Sequence, residues 1–188
     1  MNAKSQRTCG ACTMCCKVYQ IATLGKPEGR WCTYCAIGQG CRIYDNRPSQ
    51  CREFLCIWLQ DDGLPQEWKP EISKMVLSVH PSTGFIYAQV DPGTPLAWRK
   101  EPYFSQLKTL AEQLLMDRRH VLVFVNRDAT LIMPTGPVPI GQMSAHDGFI
   151  VRETFTDRGK QYIAERIARV TTQGSIPAFR GAPNAVGE

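Results

Sequence analysis

Residues 9–56 read CGACTMCCKVYQIATLGKPEGRWCTYCAIGQGCRIYDNRPSQCREFLC and carry every cysteine of the 188-residue chain: Cys9, Cys12, Cys15, Cys16, Cys32, Cys35, Cys41, Cys51 and Cys56. Two CxxC steps share Cys12 at the front, and a third, CTYC, spans 32–35. Thiolates are soft ligands for zinc and iron–sulfur clusters, and a gap of two residues lets one tight turn aim two sulfurs at a common centre. A disulfide framework would need an oxidising compartment and an export signal. The opening MNAKSQRTCG has charge but no apolar run behind it, so the expectation is a cytoplasmic metal-binding module.

Cys15 and Cys16 are adjacent, and neighbouring residues rarely direct both sulfurs to one tetrahedral centre without backbone strain. The expectation is that they serve different sites, or that one bridges two metals. CGACTMC matches the opening of bacterial ferredoxin ligation, but Tyr19 stands where the next cysteine would fall, so any cluster must close through a distant ligand. Pro48 suits a first helical turn, which predicts a helix over Ser49–Leu59. Cys51 and Cys56 would then face apart, because five residues turn a helix by about 500°. Nine thiols allow two four-thiolate sites with one cysteine over, or one cluster beside structural cysteines. The weakest-placed are Cys35 and Cys56.

CGACTMCC at 9–16 and CRIYDNRPSQCREFLC at 41–56 resemble the cysteine-cluster family of zinc- or iron-chelating proteins (YkgJ-like). That family's pattern begins CxxCxxCC and ends near CxIYxxRPxxCRxFxC. Cys32 and Cys35 stand for the one or two further cysteines between. Flagellin lysine methylases carry a similar cluster but are much longer. The resemblance covers about a third of the chain and implies metal binding, with no established reaction.

Charge is distributed unevenly. Residues 1–58 carry eight basic and three acidic groups, whereas 59–188 carry fourteen of each, so the whole net charge of +5 lies with the cysteines. A tetrathiolate zinc site or an oxidised four-iron cluster keeps about −2, which nearby Lys and Arg would offset. Arg47 and Arg52 are candidates to donate hydrogen bonds around a cofactor. The basic residues are scattered rather than massed, which disfavours nucleic acid. His80, His120 and His146 lie outside the cysteine stretch with no HExxH pair, and no GxxxxGK phosphate loop occurs.

The expected fold is α+β: an irregular cysteine-rich metal-binding module (1–69), a small mixed α+β domain (70–170) and a flexible tail (171–188). KVYQIATL (17–24) reads as a short strand. KMVLSVH (74–80) and GFIYAQV (84–90) form a hairpin, and apolar spacing predicts a helix from Tyr103 to Arg119. VLVFV (121–125) is a central strand followed by a second at TLIMP. Gly136, Pro137, Pro139 and Gly141 break the pattern, FIVRETF (149–155) restores it, and Thr156 or Asp157 caps a last helix to about Val170. No apolar run approaches the roughly 20 residues that span a bilayer.

Three functions fit this reading. The first is a metalloprotein whose cysteines hold zinc or an iron–sulfur cluster, expected as 4Fe-4S, in a structural or redox role. The second is a zinc-stapled interaction module that meets protein or nucleic acid. The third is an enzyme with an open iron site or a free thiol. Expected partners are metal ions, with a protein partner or a second copy meeting the α+β domain.

Overall fold

The computed structural model describes residues 7–144, 147–157 and 159–168. The cysteine-rich part forms only short elements: helix α1 (Cys15–Val18), strands β1 (Cys35–Ala36) and β2 (Gly40–Cys41), and helices α2 (Ser49–Glu53) and α3 (Ile57–Gln60). KVYQIATL is therefore no strand. Its first residues complete α1, Ala22–Leu24 make a 3-10 turn, and only Ile21 bridges to Lys26. The helix expected over Ser49–Leu59 is two helices, because Phe54 and Cys56 adopt extended backbone angles between α2 and α3.

Helix α4 (Pro70–Ser73) leads into β3 (Met75–Val79) and β4 (Ile86–Val90), the expected antiparallel hairpin. Helix α5 (Tyr103–Leu115) buries Leu107, Ala111 and Leu114, one stripe at helical spacing. It carries the chain over to β5 (Val121–Val125), which pairs parallel with β4. β6 (Asp128–Met133) and β7 (Gly136–Gln142) follow antiparallel, giving the order β3-β4-β5-β6-β7 with VLVFV at the centre.

Two expectations fail beyond β6. Gly136 to Gly141 do not break the sheet but belong to β7. This strand lies at the sheet edge, where a proline's missing N–H costs no ladder bond on the outer side, and Pro137 and Pro139 stand opposite Ile132 and Thr130. The helix expected from Thr156 or Asp157 is strand β9 (Gly159–Ile167), paired along its whole length with β8 (Gly148–Thr156). Tyr162 and Ala164, two residues apart, pack inward while Ile163 and Ile167 are exposed, so period two prevails over the helical spacing of the apolar residues. The tail at 171–188 lies outside the described residues.

The sheet has a core on each face. One joins Met75, Ala88, Val90, Leu107 and Val121 to Met14, Val18, Cys56, Trp58 and Trp68, so the cysteine-rich segment and the sheet bury their apolar surface together. The other joins Leu122, Leu131 and Met133 to Phe149, Val151, Tyr162 and Ala164 of the β8–β9 hairpin. Gly29 (φ +71°) comes so close to the β5–β6 turn that a Cβ there would collide with Asn126 Oδ1. Arg7 fastens the other side of the segment, donating to the carbonyls of Trp58 (3.1 Å), Asp61 (2.9 Å), Asp62 (2.9 Å) and Leu64 (2.7 Å).

Candidate metal centre

Two of the three CxxC steps, 9–12 and 32–35, close as turns. Cys12 N–H donates to Cys9 O (2.9 Å) and Cys35 N–H to Cys32 O (3.0 Å). Gly10 takes the left-handed conformation (φ +50°) that the first turn uses, at no steric cost to glycine. Cys35 and Cys41 are direct cross-strand partners in β1–β2, which places their side chains on the same face. Cys32 N–H also donates to Cys16 O (3.0 Å), fastening the CTYC turn to α1.

These contacts surround a cavity of about 160 Å³ with cysteines: Cys9, Cys12, Cys15, Cys16, Cys32, Cys41 and Cys51 all line it. That is roughly ten times the space that admits one water. Tyr19, Ile21, Leu24, Ile43, Tyr44 and Phe54 supply apolar wall between the sulfurs. All nine cysteines are free thiols, and among the described residues no three Cys, His, Asp or Glu side chains form a group that could hold a metal ion. The sulfurs stand around the walls of a space rather than about a single point.

Cys35 and Cys56 do not line the cavity. Cys35 lies behind it, hydrogen-bonded to Cys16 and Thr13, and Thr13 in turn accepts from Gly38 N–H at 3.2 Å. Cys56 is buried in the core at the start of α3, nearest Cys9 and Cys12, whereas Cys51 lies toward Cys16, Cys32 and Cys41. The two do face apart, because of the break between α2 and α3 rather than rotation along one helix. Cys15 and Cys16 share a hydrogen bond and open on the same cavity.

Burial pushes the thiols of Cys9, Cys12, Cys51 and Cys56 up, and Cys35 up to about 11. Cys16 is pushed further still, first by its hydrogen bond with Cys15 and then by burial. These six thiols are therefore neutral near pH 7.

Of the two arginines singled out in the sequence, Arg47 lines the cavity. Its guanidinium lies 3.5 Å from the Tyr44 ring centroid and its Nε donates to Tyr44 O (2.8 Å). Arg52 is exposed on α2 and does not line it. The cation that sequence reasoning missed is Lys26. It is only 6% exposed, and its ammonium donates to Lys17 O (2.7 Å) and to Tyr19 O. Burial lowers its pKa, while Cys16, Cys32, Cys15 and Cys51, when charged, raise it. No carboxylate forms a salt bridge with it among the described residues. Lying between Gly25 and Pro27, it reads in sequence as a turn lysine.

His80 and His120 lie away from the cysteines at one end of the sheet, and His146 falls outside the described residues. No helix among the described residues is long and apolar enough to cross a membrane. The chain matches no protein-family model, no curated protein and no solved structure.

Proposed function

We propose that this chain is a thiolate metalloprotein that holds an iron–sulfur cluster in the cysteine-lined cavity. The single observation that carries the reading is the gathering of seven thiols, from residues as far apart as Cys9 and Cys51, around one cavity of about 160 Å³. A cavity ringed by sulfurs suits a polynuclear cluster, whose metal atoms occupy the space between ligands. A single tetrahedral zinc instead draws four sulfurs to about 2.3 Å from one point. Zinc is the second reading, favoured by the CxxC turns, which serve either metal.

The donor set fits the group. Soft thiolates are its usual ligands, and the buried Lys26 ammonium, which makes no salt bridge among the described residues, finds its counter-charge in them once they ionise. Metal binding deprotonates thiols that burial otherwise keeps neutral. Cys9, Cys12, Cys15, Cys16, Cys32, Cys41 and Cys51 are the candidate ligands. Lys26 and Arg47 offset the negative charge, and Tyr19, Phe54 and Ile43 keep water out. When bound, the cluster would supply one-electron redox chemistry in place of a structural role. The likeness of 9–16 and 41–56 to the YkgJ-like pattern supports the same chemistry, and so many free thiols suit a reducing compartment such as the cytoplasm.

Anaerobic purification followed by a visible spectrum and counts of iron, acid-labile sulfide and zinc tests the reading. The expected protein is brown, with iron and sulfide in matched amounts. Colourless protein loaded with zinc would replace the cluster with a structural zinc site, and protein that takes up neither metal on reconstitution would overturn both.

A further inference from the structure

A second open space lies on the sheet face opposite the cysteine segment. The side chains of β4 alternate: Ile86, Ala88 and Val90 enter the core shared with the cysteines, while Tyr87, with Phe85 just before the strand, joins the other core. The β8–β9 hairpin covers this second face incompletely. Between its first residues and the start of β4 runs a groove of about 740 Å³, within the roughly 300–1,000 Å³ range of small-molecule sites.

The floor is aromatic. Phe85 and Phe149 pack at 5.9 Å between centroids, His120 stands edge-on to both at 5.1 and 5.5 Å, and His80 lies 5.0 Å from Tyr87. The walls carry one guanidinium. Arg118 lines the groove and makes no salt bridge among the described residues, whereas His80 Nδ1 and the Thr83 hydroxyl, also in the wall, are hydrogen-bonded to each other at 3.0 Å. Asp147, the groove's carboxylate among the described residues, is already satisfied by Ser144 N–H (2.7 Å) and Arg166 (3.4 Å). What is left unmet is therefore flat apolar surface together with the Arg118 guanidinium.

We infer that this groove binds a small aromatic acid, its ring lying against Phe85, Tyr87 and Phe149 and its carboxylate against Arg118. Rings pack favourably edge-on or offset on such a floor, and a guanidinium matches a carboxylate with two parallel hydrogen bonds. The site is separate from the cysteine cavity and does not depend on how that cavity is loaded.

Titration of the full chain with 1-naphthoate, followed through backbone amide shifts by NMR, tests the inference. Saturable shifts are expected at 80–87, 118–120 and 148–151, with the cysteine segment unmoved. Arg118→Asn is the variant of choice, because Arg118 has a left-handed backbone (φ 56°) that asparagine tolerates and its side chain is exposed, so the fold should persist. It should weaken binding about tenfold, the value of one charge-assisted hydrogen bond. Neutral 1-naphthalenemethanol should bind as weakly to the wild type. Absence of saturable shifts at millimolar naphthoate would overturn the inference. So would equal binding of the acid and the alcohol, or an unchanged affinity in Arg118→Asn protein that retains its fold by circular dichroism.

Discussion

Lys17, the residue after Cys16, extends its ammonium from α1 to Asp91 just beyond β4, with Nζ and Oδ1 2.5 Å apart. Asp91 is buried and also accepts Gly93 N–H at 2.8 Å, while Lys17 lies 5.3 Å from the Trp31 ring centroid. The helix that carries two cysteines is thus fixed to the sheet by a mostly buried ion pair.

Removing one partner of such a pair leaves a buried charge unmatched, at a cost of about 3 kcal/mol. Asp91→Asn should therefore lower the unfolding free energy by about that amount in urea denaturation. The double variant Lys17→Met/Asp91→Leu should recover most of the loss, since replacing both charges by apolar groups is often close to neutral. A double variant as unstable as the sum of both single ones would show that the pair is not the source.

Lys26→Met separates the needs of the metal-free and the loaded protein. Without metal the ammonium makes no salt bridge among the described residues but still donates to the Lys17 and Tyr19 carbonyls, so Lys26→Met should cost the metal-free protein only about 1 kcal/mol. With metal bound, the loss of a cation beside Cys16 and Cys32 should weaken retention about 10- to 100-fold in competition with a chelator, and Lys26→Arg should restore part of it. Equal retention in the wild type and Lys26→Met would remove the counter-charge role.

The cysteines should divide by position. Cys16→Ser takes a thiol from the cavity wall and should lower the metal content per chain measured by elemental analysis. Cys56 is buried in the apolar core and lies outside that wall, so Cys56→Ala should keep the full metal content and cost about 1 kcal/mol as a small cavity. Metal loss from Cys56→Ala equal to that from Cys16→Ser would place Cys56 among the ligands.

The fold should weaken in mild acid through His120. Packing against Phe85 and Phe149 buries its imidazole and holds its pKa below the ordinary value. The unfolded chain then binds the proton more readily, near pH 6.5. Stability is unaffected above that value, falls as pH drops through it, and levels off below the lower folded pKa. Arg118 lines the same groove, and Asp147, its carboxylate among the described residues, is already engaged by Arg166. Denaturation midpoints between pH 7 and 5 should fall less steeply for His120→Gln than for the wild type; equal slopes would assign the acid sensitivity elsewhere.

The hairpin β3–β4, helix α5 and strands β5 and β6 were legible because each writes its own period: alternation in KMVLSV, helical spacing from Tyr103, and an unbroken apolar run in VLVFV. Where elements were misread, local preference met a tertiary partner. Pro137 and Pro139 break a strand by themselves, yet they occupy one at the sheet edge. The segment from Gly159 to Ile167 places its apolar residues at near-helical spacing, yet β8 pairs with every residue of it. Ser49–Leu59 has a helical pattern that the extended backbone at Phe54 and Cys56 interrupts.

For the candidate site, sequence by itself determined the chemistry available: nine soft donors, CxxC spacings of which 9–12 and 32–35 close as turns, and a surplus of basic charge over the same residues. Those features are local, since a turn of four residues is decided by those four. Tertiary structure alone decided which thiols share a cavity, that Arg47 enters it while Arg52 does not, and that the ammonium of Lys26 is buried beside Cys16 and Cys32. Each depends on packing segments up to 42 residues apart, Cys9 to Cys51, against each other and against one face of the sheet. No short-range spacing records that packing.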